Sequence, residues 1–136
     1  MESTPLDERK ALTRKTMNVL DSWRLGSDEI RQILALPETV RGRSINKYRL
    51  HESFPDDPVV ELRAGYLLRI GQALQTTYPT NAAMGARWMR QRHRRLGCVP
   101  LARMMESGPG GLERVLAELD CAFGWEITDA QVKGTE

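Results

Sequence analysis

Residues 67–105 have the sequence LLRIGQALQTTYPTNAAMGARWMRQRHRRLGCVPLARMM, and this stretch gives the clearest sign of the fold class. Its apolar residues recur at spacings of three and four, the period of a helix that packs on one side. Residues 78–81, Tyr-Pro-Thr-Asn, are typical of a turn, and either of the last two can cap a following helix. That helix contains Trp88 and Met89 and is predicted to end near Gly97. Another helix is predicted to begin around Pro100, because the first turn of a helix tolerates proline.

The same spacing extends toward the N-terminus. A first helix is predicted from about Leu12 to Trp23, and the polar residues 1–15 are expected to form a loose N-terminus. Gly26 supplies the left-handed residue that often ends a helix, and Ser27 can cap the next helix. Pro37 ends or follows this second helix. The predicted inward residues of the two helices are Leu12, Thr16, Val19, Leu20, Trp23, Ile30, Ile33 and Leu34.

The middle of the chain predicts two more helices and a connector. A third helix is expected between Pro37 and Arg49, with a start as late as Arg43, and a fourth from Pro58 to Leu74. Between them, residues 54–58, FPDDP, favour turn geometry and are the best candidate for a boundary between two lobes. The predicted inner residues of these two helices are Val40, Ile45, Tyr48, Val60, Leu62, Leu67, Ile70 and Leu74.

The C-terminal part predicts one further helix. Residues 107–111, SGPGG, break the helix that begins near Pro100, and a last helix is predicted from Leu112 to about Phe123. Its predicted buried residues are Val115, Leu116 and Leu119. Apart from the isolated Val59-Val60 pair, no β-branched or alternating run indicates a strand. The predicted class is therefore all-α, as one domain or as two very small ones that share a core.

The charges are segregated along the chain, although the formal net charge is only +2. Residues 87–103 contain six basic and no acidic side chains, whereas residues 104–136 contain two basic and seven acidic ones. Such a chain can present a positive face to one partner and another face to a second. The two cysteines, Cys98 and Cys121, form no CxxC pair, and no signal segment or membrane-length span is present in the sequence. Reduced thiols in a cytoplasmic protein are expected.

Residues 37–49, PETVRGRSINKYR, are suited to a recognition helix. In a helix-turn-helix, the second helix enters the major groove, where arginine can bond to guanine and asparagine to adenine. An ordinary solvated helix face is the alternative. The candidate DNA-binding residues are Arg41, Arg43, Ser44, Asn46 and Lys47.

Residues 87–100, RWMRQRHRRLGCVP, could bind nucleic acid, bind a protein, or form a solvated basic face. Direct DNA contact is disfavoured because Trp88 is the only aromatic residue interleaved with the arginines. Arginine and tryptophan are enriched at the hot spots of protein interfaces, which favours a protein partner.

Catalysis is not expected. His51 and His93 are far apart with no neighbouring nucleophile, and residues 107–111 lack the lysine and hydroxyl residue of a phosphate-binding loop. No cofactor and no metal ligand set is predicted.

The stretch from residue 67 to residue 105 resembles the toxin-binding domain of the Xre/MbcA/ParS-type antitoxins. In that pattern an apolar helix and a turn precede a tryptophan helix, which leads to a Leu-Gly and then a Pro-Leu. Here these features are Trp88, Leu96-Gly97 and Pro100-Leu101. The family's Pro-Asn pair is replaced by Arg92 and His93. The N-terminal half resembles the Xre-type helix-turn-helix that commonly precedes this domain.

The resemblance implies an antitoxin of a type II toxin–antitoxin system. It implies an N-terminal helix-turn-helix lobe, residues 1–53, and a toxin-binding and dimerisation domain, residues 54–136. The expected partners are a RES-domain toxin that depletes NAD and the operator DNA of the operon, and no membrane is expected as a partner. The chain is expected to be a homodimer within a larger toxin–antitoxin complex. The candidate toxin-binding residues are Trp88, Arg90, Arg94, Arg95 and Pro100. The alternative is a stand-alone dimeric helix-turn-helix regulator without a toxin partner.

Overall fold

A computed structural model of the chain describes residues 5–40, 42–106 and 108–120, and in these ranges the protein is helical without strands. The predicted all-α class is therefore confirmed. The first six helices are α1 Pro5–Ser22, α2 Ser27–Ile33, α3 Gly42–Leu50, α4 Pro58–Thr77, α5 Ala82–Arg90 and α6 Pro100–Met104. Residues 110–120 form α7, which reaches the last described residue. None of the described helices combines the length and the apolar character that crossing a bilayer requires.

The core lies where α1 crosses α4. A Cβ atom at Gly71 would lie 2.9 Å from Cγ1 of Val19, so the glycine permits the close approach of these two helices. One cluster of buried side chains takes residues from all of the described helices. Helices α5 and α6 contribute one residue each, Met89 and Met104. Side chains from both predicted lobes thus enter the same cluster, and the division near residue 54 stays a prediction.

The predicted start of α1 was wrong, because the helix begins at Pro5 and not near Leu12. Residues 5–15 are therefore helical, contrary to the expected loose N-terminus. Asp7 and Glu8 lie in the first turn, where negative charge interacts favourably with the helix dipole. Farther along, the Thr13 hydroxyl accepts a hydrogen bond of 2.9 Å from the backbone N–H of Phe54, which ties α1 to the connector before α4.

The predicted left-handed stop at Gly26 was also wrong. Arg24 has the positive φ of 60°, and its N–H donates to Asp21 O at 2.9 Å while Leu25 N–H donates to Leu20 O at 3.4 Å. This is the Schellman arrangement of a helix C-terminus. Gly26 instead is the N-cap of α2, so that Ser27 is the first helical residue and not the cap.

Helix α2 ends in the same way, with Ala35 at φ 57°. Ala35 N–H donates to Gln32 O at 3.1 Å, and Leu36 N–H donates to Arg31 O at 2.9 Å. The predicted position of Pro37 after this helix is confirmed, as is the burial of the residues Ile30, Ile33 and Leu34. Two helices therefore end on residues other than glycine, which leaves strain of about 1 kcal/mol at each end.

Helix α4 begins as predicted at Pro58, and the Asp57 carboxylate caps it by accepting a hydrogen bond of 2.9 Å from Val59 N–H. The predicted inward position of Leu62 was wrong, since this side chain is 49% exposed. Arg63 takes the inner place and is 2% exposed. The stripe that continues from Val60 by steps of three and four passes through residue 63 and not through residue 62.

The buried Arg63 guanidinium joins three segments to α4. Its Nε donates to the carbonyl oxygen of Ile33, Nη2 donates to Met104 O at 2.7 Å, and Nη1 donates to Gly108 O at 2.8 Å. Burial lowers the pKa of Arg63 below its usual value. Ile33 and Met104 end α2 and α6, where positive charge interacts favourably with the helix dipoles. Ile33 O is one of the last carbonyls of α2, which have no partner within the helix, so Arg63 supplies a donor.

The last three helices follow the predicted order with one correction. The Asn81 side chain caps α5 by accepting a bond of 3.1 Å from Ala83 N–H, as predicted, but α5 ends at Arg90 and not near Gly97. Helix α6 begins at Pro100 as predicted. The predicted burial of Val115, Leu116 and Leu119 in α7 is confirmed, whereas its predicted end near Phe123 lies outside the described residues.

Candidate functional site

Five exposed arginines follow one another from the last turns of α5 into the loop before α6. We call them the arginine surface, and they are Arg87, Arg90, Arg92, Arg94 and Arg95. Two of them have partners within the chain. The Arg90 guanidinium donates to Ala86 O and to Arg24 O, each at 3.1 Å, and Arg95 Nε lies 3.4 Å from Glu118 Oε1.

Arg87, Arg92 and Arg94 have no acidic partner among the residues that the structure describes. Their side chains are exposed, so their charges are solvated. A surface of this kind attracts an anionic partner through charge complementarity.

The loop that carries these arginines has a defined shape. His93 N–H donates to Cys98 O at 3.2 Å, and Gly97 N–H donates to His93 O at 2.8 Å. Gly97 has a φ of 78°, which a residue with a side chain adopts only with strain. The backbone bonds close residues 93–98 into a tight turn, and this turn replaces the predicted continuation of α5.

His93 fixes the turn to α5. Its imidazole ring lies 4.6 Å from the Trp88 ring between centroids, with 31° between the planes, and ring atom Nε2 lies 2.7 Å from Trp88 O. Trp88 is half-buried and packs against the core. With Nε2 protonated, His93 donates to the Trp88 carbonyl in the last turn of α5, which also accepts a longer hydrogen bond of 3.4 Å from Gln91 N–H. The one sequence signal for this pair is the imidazole of His93, an aromatic ring five residues after Trp88.

Pro100 is buried and is the first residue of α6. Its predicted contact with a toxin stays a prediction, and in the free chain the buried ring begins α6. Helices α5 and α6 pack against each other, so Trp88 and Pro100 belong to neighbouring elements. Trp88, as a half-buried side chain partly covered by His93, also acts mainly as a packing residue.

The predicted DNA-binding residues lie on α3, except that Arg41 is outside the described residues. Arg43 and Asn46 are exposed, and Leu50, on the same face, is 66% exposed. Ser44 and Lys47 are half-exposed. The structure thus places two of the five residues, at a spacing of three, on the open side of the helix.

Lys47 is engaged within the chain, since its Nζ lies 3.4 Å from Glu52 Oε2. Side chains of α1 also anchor α3. Asp21 accepts two hydrogen bonds from Arg49, at 2.8 and 2.9 Å, and one Arg14 amino group donates to Tyr48 O at 2.7 Å and Glu52 O at 2.8 Å. These contacts, which the sequence did not reveal, fix the exposed face of α3 relative to α1.

The segment between α2 and α3 is residues 34–41, which is longer than the three or four residues of a typical helix-turn-helix turn.

Within residues 5–40, 42–106 and 108–120, no group of three or more histidine, cysteine or acidic residues is placed to hold a metal ion. Cys98 is half-buried and carries a free thiol, and Cys121 lies outside the described residues.

Comparisons with known proteins give the chain no family. No family model matches it, and no curated protein matches its sequence.

Proposed function

We propose that the chain is a cytoplasmic antitoxin of a type II toxin–antitoxin pair, which binds and neutralises a RES-domain, NAD-depleting toxin. The observation that supports this proposal is the arginine surface, in which Arg87, Arg92 and Arg94 have no acidic partner within the described residues. Arginine is over-represented among residues that dominate the energy of protein interfaces. Because α5 holds Arg87 and the tight turn holds Arg94 on a fixed backbone, less conformational entropy is lost on binding.

Two features favour a protein over nucleic acid as the partner of this surface. A single-strand binding site alternates cations with exposed aromatic rings on which bases stack. Here the one neighbouring aromatic residue, Trp88, is half-buried, and one face of its ring is occupied by His93. A protein surface that presents carboxylates in place of the absent intrachain partners fits this arrangement better.

Operator DNA is the proposed second partner. A homodimer would insert α3 into successive major grooves, with Arg43 and Asn46 as the base-reading residues and Arg41 as a phosphate contact. Lys47 is paired with Glu52 in the free protein and would have to exchange this partner for phosphate. The chain itself needs no cofactor and catalyses no reaction in this proposal.

The toxin proposal is tested by neutralisation in cells. A RES-domain protein, to be sought among the genes next to the one for this chain, is co-expressed with the wild type or with the double variant Arg92→Glu/Arg94→Glu, and growth and cellular NAD are measured. The control is Lys10→Glu/Arg69→Glu, which makes the same charge change at two exposed residues outside the arginine surface.

The arginine-surface variant is expected to lose protection while the control retains it. Equal protection by both variants would refute the role of this surface. The absence of any RES-domain protein bound by the wild type would remove the antitoxin proposal itself.

A stand-alone dimeric transcriptional regulator is the second candidate, and the exposed face of α3 favours it. Arg43→Ala and Asn46→Ala are each expected to weaken operator affinity by about 1–3 kcal/mol if the side chain contacts a base. Gel shifts with the DNA upstream of the gene measure this change. Unchanged affinity in both variants would contradict base reading by α3. Tight DNA binding by the chain without any toxin partner would favour the regulator.

A further inference from the structure

A groove of about 460 Å³ lies between α1, α4 and the start of α5. Its volume is within the range of about 300–1,000 Å³ that is common for binding pockets. The inner lining is apolar and includes Val19 of α1, Trp23 directly after α1, and Leu68 and Leu74 of α4. Gly71, at the crossing of the two helices, forms part of the lining.

The rim of the groove is polar, and Lys15 is the only charged residue that lines it among those the structure describes. The side chains of Asn18, Gln72 and Gln75 are exposed and make no hydrogen bond with another described residue. Amide groups of this kind can bond to the backbone or to the indole N–H of an occupant. The groove therefore suits a segment with a large apolar side chain and negative charge.

We propose that this groove binds the chain's own C-terminal segment, residues 121–136, with Trp125 as the side chain that enters it. The first argument is position. Asp120, the last described residue, lines a smaller cavity beside α4 together with Gln72 and Thr76, and Gln72 also lines the groove. The five residue steps from Asp120 to Trp125 span at most about 17 Å. This reach exceeds the diameter of a helix with its side chains, about 10–12 Å, so the segment can cross α4.

The second argument is chemistry. Residues 121–136 contain the aromatic residues Phe123 and Trp125, and they contain three acidic side chains against one basic one. A tryptophan side chain buries a large apolar area and usually finds an acceptor for its N–H when it is buried. The groove offers both an apolar floor and amide oxygens. Glu126 directly follows Trp125 and would lie near the rim, where Lys15 has the opposite charge.

The segment is attached to the chain, so it competes for the groove at a high effective concentration. Docking is therefore expected within one molecule and not between two. This inference does not depend on the antitoxin proposal, because it concerns neither the arginine surface nor the exposed face of α3.

The test uses the full chain labelled with 5-fluorotryptophan and studied by ¹⁹F NMR. The three tryptophan resonances are assigned with the Trp125→Phe variant and its counterparts at Trp23 and Trp88. A soluble gadolinium chelate then broadens each resonance according to its exposure. The Trp125 resonance is expected to be broadened severalfold less than that of free 5-fluorotryptophan, and equally at high and low protein concentration. Broadening as strong as that of the free amino acid would overturn the proposal, and protection lost on dilution would show docking on a second copy.

Two variants that obstruct the groove make the test specific. Ala82 is exposed and lines the groove, so Ala82→Phe fills its mouth, and Ala102→Phe is the matched change at an exposed alanine of α6 outside the groove. Lys15→Glu reverses the charge at the rim without adding bulk. Ala82→Phe and Lys15→Glu are each expected to expose Trp125, and Ala102→Phe is expected to leave it protected. Protection that persists in both groove variants would refute this site.

Discussion

Replacing Arg63 with methionine is expected to lower the free energy of unfolding by about 3 kcal/mol. Methionine has a similar length and can fill the buried space, so the main change is the loss of a charged donor. The carbonyl oxygens of Ile33, Met104 and Gly108 lose the hydrogen bonds that the guanidinium donates. Two of these three bonds are buried, and the one to Gly108 is partly buried.

The magnitude is a difference between two opposing effects. A buried acceptor without a donor costs about 1–3 kcal/mol, and the partly exposed one at Gly108 costs the least because water can reach it. Three such losses come to about 5 kcal/mol. Removal of the buried cation offsets about 2 kcal/mol of this loss, since its desolvation no longer opposes folding. The net effect remains clearly destabilising because the three carbonyls stay in place after the substitution.

Urea denaturation followed by circular dichroism measures the effect, with Arg69→Met as the control. Arg69 is exposed on the same helix, and its guanidinium lies 5.9 Å from the Tyr66 ring centroid. The control is expected to change the free energy of unfolding by less than about 0.5 kcal/mol. Arg63→Lys should fall between the two, because an ammonium group cannot reach all three carbonyls. A loss below about 1 kcal/mol for Arg63→Met would refute this assignment.

Three further predictions concern the backbone, and urea denaturation measures each of them. Ala35→Gly should stabilise the protein by about 0.5 kcal/mol, because glycine adopts the left-handed conformation of this position without strain. The control Ala117→Gly, in the middle of α7, should destabilise the protein by about 1 kcal/mol. A change of the same sign in both variants would contradict the role of φ at Ala35. Gly111→Ala should lower the free energy of unfolding by about 3 kcal/mol, because the added Cβ would clash with the backbone of α6. Gly110→Ala is the control, since a Cβ at Gly110 would have no neighbour within 4 Å. Asp57→Ala should cost about 1 kcal/mol through loss of the α4 cap, and an unchanged stability would show that the cap is replaced by water.

The helices themselves could be predicted from the sequence because they follow apolar spacing and capping residues. Pro58, Asn81 and Pro100 mark helix starts through local chemistry, and the structure agrees at each of them. The helix ends were harder to predict. Arg24 and Ala35 adopt the left-handed conformation that the sequence suggested for glycine, because the bonds of the helix end outweigh the small local strain.

The errors inside the core have a different cause. Periodicity sorts residues by polarity, so it placed Leu62 inside and left Arg63 outside, whereas the structure has the reverse. A buried arginine depends on carbonyl groups from distant segments, and no local pattern reveals them.

The same limit applies to the arginine surface. Its residues were predicted from composition alone, but the turn that shapes it depends on the pairing of His93 with Trp88 and Cys98. The pairing replaced a helical turn that the spacing had favoured.

The three carbonyl partners of Arg63 also bear on how the molecule loses its structure. They lie 30, 41 and 45 positions away from it along the chain, on both sides. Detaching either end of the molecule would take at least one carbonyl acceptor away from the Arg63 guanidinium, so partly unfolded forms are disfavoured relative to complete unfolding. Melting is therefore expected to be all-or-none, with a calorimetric enthalpy equal to the van't Hoff value.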